Sequence, residues 1–100
     1  MDINKLFNID GKTALITGGS RGIGEMIAAG FLANGVKVYI TARKEAPLIE
    51  KAKELSEKFN GECIAIPCDL SNMEGIQKLA SDYLNHEDSL DILVNNAGAA

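Results

Sequence analysis

Four short apolar runs alternate with three segments of helical period, and turn residues separate them. Thr13-Ala14-Leu15-Ile16-Thr17 lies between Asp10-Gly11 and a run of glycines, and reads as a strand buried on both faces. From Ile23 the spacing turns helical, with Ile23, Ile27, Gly30 and Phe31 on one face, until Asn34-Gly35 stops it. Val36 to Thr41 is β-branched and predicts a second strand. Pro47 suits the first turn of the next helix, whose face is Leu48, Ala52, Leu55 and Phe59 and whose end is Asn60-Gly61. Glu62 to Ile66 is the third strand. Ser71-Asn72-Met73-Glu74 predicts a capping box on Ser71, opening a helix that buries Ile76, Leu79, Ala80, Tyr83 and Leu84. Leu90 to Asn95 is the fourth strand.

The order β-α-β-α-β-α-β implies an α/β, Rossmann-type doubly wound parallel sheet. Right-handed crossovers then give strand order 3-2-1-4. Ligands of such sheets bind at the carboxyl ends of strands beside the switch point, here between strands 1 and 4. Four motifs fall at carboxyl ends.

Composition narrows the function classes. With 46% hydrophobic and 24% charged residues, the 100-residue chain is globular and sized for one domain. A net charge of −4 argues against a nucleic-acid or anionic-membrane partner. No apolar run approaches the ~18 residues of a membrane helix. Met1-Asp2-Ile3-Asn4-Lys5 lacks the basic start and apolar core of an export signal, so a cytoplasmic location is expected. Cys63 and Cys68 match no zinc or redox spacing and are expected to be reduced, partly buried thiols. His86 lies near a helix end where its charge suits the dipole, and no metal site is expected.

The first motif, Thr17-Gly18-Gly19-Ser20-Arg21-Gly22-Ile23-Gly24, joins strand 1 to the first helix. Gly18 allows the turn, Gly22 clears a path for a phosphate, and Gly24 lets helix and sheet approach. A tight strand–helix turn is the plainer alternative. The second motif ends strand 2 at Thr41-Ala42-Arg43-Lys44, where a site for NAD would carry an acid against the ribose. That place is Ala42. Arg43, opposed by Arg21, suits a 2′-phosphate and favours NADP(H) over NAD(H), although either arginine alone reads as a solvated charge. In the third motif, Cys68-Asp69-Leu70, the carboxylate either accepts from an adenine amino group or helps start the next helix. The fourth, Asn95-Asn96-Ala97-Gly98, suits close approach to a ribose and would otherwise pass for a polar turn.

Together these motifs resemble the short-chain dehydrogenase/reductase family. Thr-Gly-x-x-x-Gly-Ile-Gly stands at residues 17 to 24, Asn-Asn-Ala-Gly at 95 to 98, with Asp69 and Leu90-Asp91-Ile92-Leu93-Val94 also matching, and the likeness runs from Lys12 onward. Gly-Gly-Ser-Arg-Gly-Ile-Gly followed by Ala-Arg is most similar to NADPH-dependent 3-oxoacyl-(acyl-carrier-protein) reductase-like members. The resemblance implies that Gly18, Ser20, Arg21 and Ile23, within a loop that includes Gly22 and Gly24, serve the diphosphate and adenosine phosphate. It gives Arg43 to the 2′-phosphate, Asp69 and Leu70 to adenine, and Asn96, Ala97 and Gly98 to the ribose, with Asn95 stabilising the sheet.

The reaction implied is hydride transfer between nicotinamide and a small carbonyl or alcohol substrate, an acyl-carrier-protein-linked 3-oxoacyl thioester among the candidates, in a homo-oligomer. The family's catalytic tyrosine has a lysine four residues later. Tyr39 is followed at that spacing by Arg43, and Tyr83 by Glu87, so no catalytic residue is assigned. Residues 1–100 are expected to form the N-terminal, cofactor-binding part of one Rossmann domain, with Ile92-Leu93-Val94 as an apolar edge. A stand-alone, non-catalytic dinucleotide-binding module is the alternative; an S-adenosylmethionine methyltransferase is weaker, for want of a ribose-binding acid near Arg43.

Overall fold

The structure, a computed structural model, describes residues 8–96. Its elements are β1 (Thr13–Thr17), α1 (Gly22–Ala33), β2 (Lys37–Ala42), α2 (Glu45–Phe59), β3 (Cys63–Pro67), α3 (Met73–Leu84) and β4 (Ile92–Asn95). All strand pairs are parallel and the order is β3-β2-β1-β4, as the alternating pattern predicts. The register sets Thr17 level with Thr41 and Asn95, and Ala42 level with Pro67, so all four strands end along one rim. Pro67 has no N–H to give a ladder, and β3 is an edge strand that tolerates it.

Side chains alternate across the pleat and split the interior in two. Ala14, Ile16, Val38 and Ile40 meet Ala28 and Leu32 of α1 and Leu48, Ala52 and Leu55 of α2. On the other face Leu15, Tyr39, Ile66 and Cys68 meet Leu79 and Tyr83 of α3. Each fully buried aliphatic side chain contributes about 1.5–3 kcal/mol. The sheet also separates Cys63 from Cys68, which belong to opposite cores as free thiols. Burial pushes the Cys63 thiol up to about 12, so it is inert at neutral pH.

Two helix faces differ from the expectation. On α1 the buried line is Gly24, Ala28 and Leu32, not the set Ile23, Ile27, Gly30 and Phe31. Ile23 is 68% exposed, Gly30 is exposed, and Ile27 and Phe31 only flank the core. A Cβ on Gly24 would lie 2.3 Å from the Gly18 carbonyl oxygen, so close approach, not side-chain size, selects the contact line. On α3 the line is Gly75, Leu79 and Tyr83, while Ile76, Ala80 and Leu84 are exposed beside β4. That strand is the other edge of the sheet, and its Leu93 is 61% exposed, the apolar edge that was expected.

Some boundaries also shift. The cap of α3 is Asn72, whose Oδ1 accepts from Gly75 N at 2.7 Å, and the expected box on Ser71 does not form. Asp69 has taken the Ser71 N–H instead, at 2.9 Å, moving the helix start one residue on. Strands β2 and β3 begin and end one residue later than expected. Leu90 and Asp91 precede β4, because the Asp91 carboxylate accepts from Thr13 N at 2.9 Å where a strand carbonyl would otherwise stand.

Under α3, polar groups at the amino ends of the strands are paired off. Glu87 accepts from the Tyr39 hydroxyl and lies 2.6 Å from Lys37 Nζ. The Tyr83 hydroxyl donates to the Ser89 carbonyl, and the two tyrosine rings pack edge to face with centroids 5.0 Å apart. Tyr39 is fully buried, and burial followed by the Glu87 contact pushes its hydroxyl up to about 12. The Lys37 ammonium, and next the tyrosine hydroxyl, hold the Glu87 carboxyl below its ordinary range. Just past α3, His86 Nδ1 lies 2.8 Å from the Asp82 carbonyl, at the negative end of the helix. Among the described residues no helix is long and apolar enough to cross a membrane.

Candidate functional site

Strand β1 leaves the sheet at Thr17, and Gly18 N still donates to the Thr41 carbonyl at 3.0 Å, so the turn begins pinned to β2. Gly22 takes φ +61°, a left-handed conformation that disfavours any side chain, and no neighbouring atom would meet a Cβ there. The backbone therefore bends away from the rim with open space in front of it. Arg21 occupies the cap position of α1 but makes no side-chain cap, in contrast to Asn72 on α3. The positive end of α1 therefore has no capping side chain of its own, and Glu25 stands in its first turn.

Two asparagines fasten β4 to this loop. Asn95 Oδ1 accepts from the Thr17 hydroxyl at 3.2 Å, a sheet-stabilising contact. Asn96 N donates to Thr17 Oγ1 at 2.8 Å, and Asn96 Nδ2 to the Gly18 carbonyl at 3.3 Å. Asn96 thus ties β4 to the glycine turn. Ala97 and Gly98 lie outside the described residues.

Two cavities open at the rim. The larger, about 860 Å³, takes in Thr17, Gly18, Arg43, Asp69 and Leu70, then continues down the open side of α3 past Ile76 and Leu93. The smaller, about 540 Å³, lies between the glycine turn and the start of α2 and takes in Ser20, Arg21, Arg43 and Lys44. Arg43 borders both. Among the described residues no carboxylate is within ion-pair distance of Arg21 or Arg43. Ala42 ends β2 with no acid beside it before Glu45. Hydrogen bonding from Ser71 keeps the Asp69 carboxyl below its usual range, so it is a carboxylate at neutral pH. Its bond to Ser71 N shows that it shapes the start of α3.

The structure therefore gathers Gly18, Arg43, Asp69 and Leu70 about one cavity, and Ser20, Arg21 and Arg43 about the other. Gly22 and Ile23 stand outside both at the exposed start of α1, and Gly24 is buried beneath the turn. A family model for short chain dehydrogenases matches residues 12–100. The chain belongs to that family. Short-chain dehydrogenases are oxidoreductases, and the relatives are named accordingly.

The chain is 48% identical over 94 residues to the rhamnolipid-biosynthesis 3-oxoacyl-(acyl-carrier-protein) reductase of Pseudomonas aeruginosa, covering 94% of this chain and 36% of that protein. A solved NADP complex of RhlG from Pseudomonas aeruginosa superimposes with a TM-score of 0.88 at 48% identity, over 94% of this chain and 37% of that one. L-Sorbose reductase from Gluconobacter frateurii, solved with NADPH and L-sorbose, superimposes with a TM-score of 0.87 at 39% identity, over 92% and 35%. The chain thus spans about a third of the length of these short-chain dehydrogenases. Lys51 and Glu54, which border the smaller cavity, were not singled out from the sequence, where they look like any solvated helix charge.

Proposed function

We propose that this chain is the NADP(H)-binding part of an oxidoreductase that moves hydride between nicotinamide and a carbonyl or alcohol. The observation that carries the reading is the pair of guanidiniums, Arg21 and Arg43, bordering one cavity without a carboxylate partner, where β2 ends on Ala42 and not on an acid. Two planar forks of N–H donors suit a phosphate dianion, and a carboxylate at residue 42 would repel one. The NADP and NADPH complexes of the structural relatives support the same cofactor.

The residues present fit the group. The uncapped start of α1 and the open turn at Gly22 receive the diphosphate, with Ser20 and Ile23 beside it. Arg43 takes the 2′-phosphate and Arg21 opposes it. Leu70 packs against the adenine while Asp69 accepts from its amino group. Asn96, by holding the Gly18 carbonyl, keeps the ribose side of the turn in shape, with Ala97 and Gly98 following. When bound, the cofactor supplies or accepts the hydride.

Tyr39 and Tyr83 are read as packing residues, since each hydroxyl is engaged at the opposite end of the sheet from the rim. The acid/base group then comes from sequence beyond these residues, in a cytoplasmic homo-oligomer. Among substrates, the relatives' names favour a carbonyl compound, with a 3-oxoacyl thioester the first to try. Titration with NADPH and NADH tests the reading. Arg43→Ala should weaken NADPH about tenfold or more and leave NADH nearly unchanged; equal loss for both rejects the 2′-phosphate role.

A further inference from the structure

The smaller cavity is not a purely basic site. Glu50 and Glu54 of α2 border it along with Arg21, Arg43 and Lys44. Glu25 stands in the first turn of α1, where a carboxylate competes with a phosphate for the positive helix end. Lys51 lies between two of these acids. Its Nζ is 3.1 Å from Glu25 Oε1 and 3.1 Å from Glu54 Oε2, which ties α1 to α2 under the cavity. The Lys51 side chain is only 21% exposed, whereas Lys53 and Lys58 on the same helix are exposed residues. Glu25, then Glu54, raises its pKa, so the ammonium is charged throughout the neutral range.

Four cations, Arg21, Arg43, Lys44 and Lys51, border the cavity with two carboxylates, Glu50 and Glu54, and Lys51 holds a third, Glu25, beside it. Without Lys51 the numbers are equal, and two of the acids lose their partner. Glu54 shares the cavity wall with both guanidiniums, and Glu25 is joined to it through Lys51. Once unpartnered, Glu54 has the two guanidiniums of the same wall to turn to, and Glu25 loses its anchor.

We propose that Lys51 determines cofactor specificity by holding Glu25 and Glu54 away from Arg21 and Arg43, which keeps both guanidiniums available for the 2′-phosphate. Lys51 is a positioning residue: it acts through the two glutamates and not by touching the phosphate. The inference rests on the NADP(H) reading above. It adds a requirement that neither the glycine turn nor the arginines state, namely that the acids of α1 and α2 be neutralised in place.

The test is the affinity of the intact protein for NADPH and NADH, in the parent, in Lys51→Met, and in Lys51→Met combined with Glu25→Gln and Glu54→Gln. Methionine keeps the apolar stem of the lysine while removing its charge. Lys51→Met should weaken NADPH about tenfold, with NADH within about twofold, and the loss should shrink as salt is raised. The triple variant should regain most of the NADPH affinity, although the tie between α1 and α2 is gone. Lys51→Met weakening both cofactors alike, or no recovery in the triple variant, overturns the inference and leaves Lys51 a strut. A parent that binds NADPH no better than NADH overturns the NADP(H) reading, and the inference with it; a parent that prefers NADPH, with Lys51→Met unchanged, overturns the inference alone.

Discussion

The two ends of the sheet treat polar groups in opposite ways. At the amino end under α3, Lys37, Tyr39 and Glu87 satisfy one another, Tyr83 is bonded to Ser89, and Asp91 closes the ladder at Thr13. At the carboxyl rim α1 starts without a side-chain cap, Gly22 faces open space, and among the described residues no carboxylate lies within ion-pair distance of Arg21 or Arg43. The difference is that one end is saturated within the chain, and so contributes stability, while the other keeps donors in reserve, and so contributes binding. A buried pair left half-made costs about 1–3 kcal/mol, which is why the closed end lacks such gaps.

If the ends are separable in this way, variants at the closed end should move stability without moving cofactor preference, and variants at the rim the reverse. The largest effect is expected from Tyr83→Ala, which empties the contact between α3 and Tyr39. By analogy with other aromatic truncations it should cost about 3–5 kcal/mol of unfolding free energy in denaturant titration, with the NADPH-to-NADH ratio unchanged. Gly24→Val comes next and is the one change that breaks the separation. Its side chain meets the Gly18 carbonyl and the Asn96 amide, so it should cost about 1–3 kcal/mol and also abolish measurable NADPH binding.

Ala42→Asp should leave the unfolding midpoint where it is and shift preference about tenfold toward NADH, as read by titration with both cofactors. The smallest effect belongs to Tyr39→Phe, which keeps the ring and costs about 1 kcal/mol at pH 7. It carries a pH signature. The hydroxyl titrates near 10 in a free chain and about 12 in the fold, so the folded state holds its proton longer. Its contribution is present in full below pH 10 and is lost as pH rises toward 12. Alkaline unfolding of the parent and of Tyr39→Phe should therefore converge over that window, and curves that stay parallel would remove the saturated hydroxyl from the account.

Strand order was legible because parallel sheets need long crossovers, and the alternation of runs admits little else. The helix faces were less so. Periodicity points to Ile23, Ile27, Gly30 and Phe31, whereas α1 docks along Gly24, Ala28 and Leu32, where small residues let the helix approach. Leu84 and Ile76 looked like core because a sequence pattern cannot say where a sheet stops, and here it stops at β4. At the site, the glycine turn and the arginines could be read from spacing. The partner of Asn96, and Lys51, could not. Asn96 works on Gly18, 78 residues away, and Lys51 on Glu25 in another helix, and neither pairing leaves a local signature.

The central claim, that the rim reserves its donors for a 2′-phosphate, is tested most directly by calorimetric titration with two small ligands, adenosine 2′,5′-bisphosphate and adenosine 5′-monophosphate. They differ only in that phosphate and need no nicotinamide or substrate groups. The account predicts at least tenfold tighter binding of the bisphosphate, with the advantage removed in Arg43→Ala. Equal affinities, or tighter binding of the monophosphate, would contradict it.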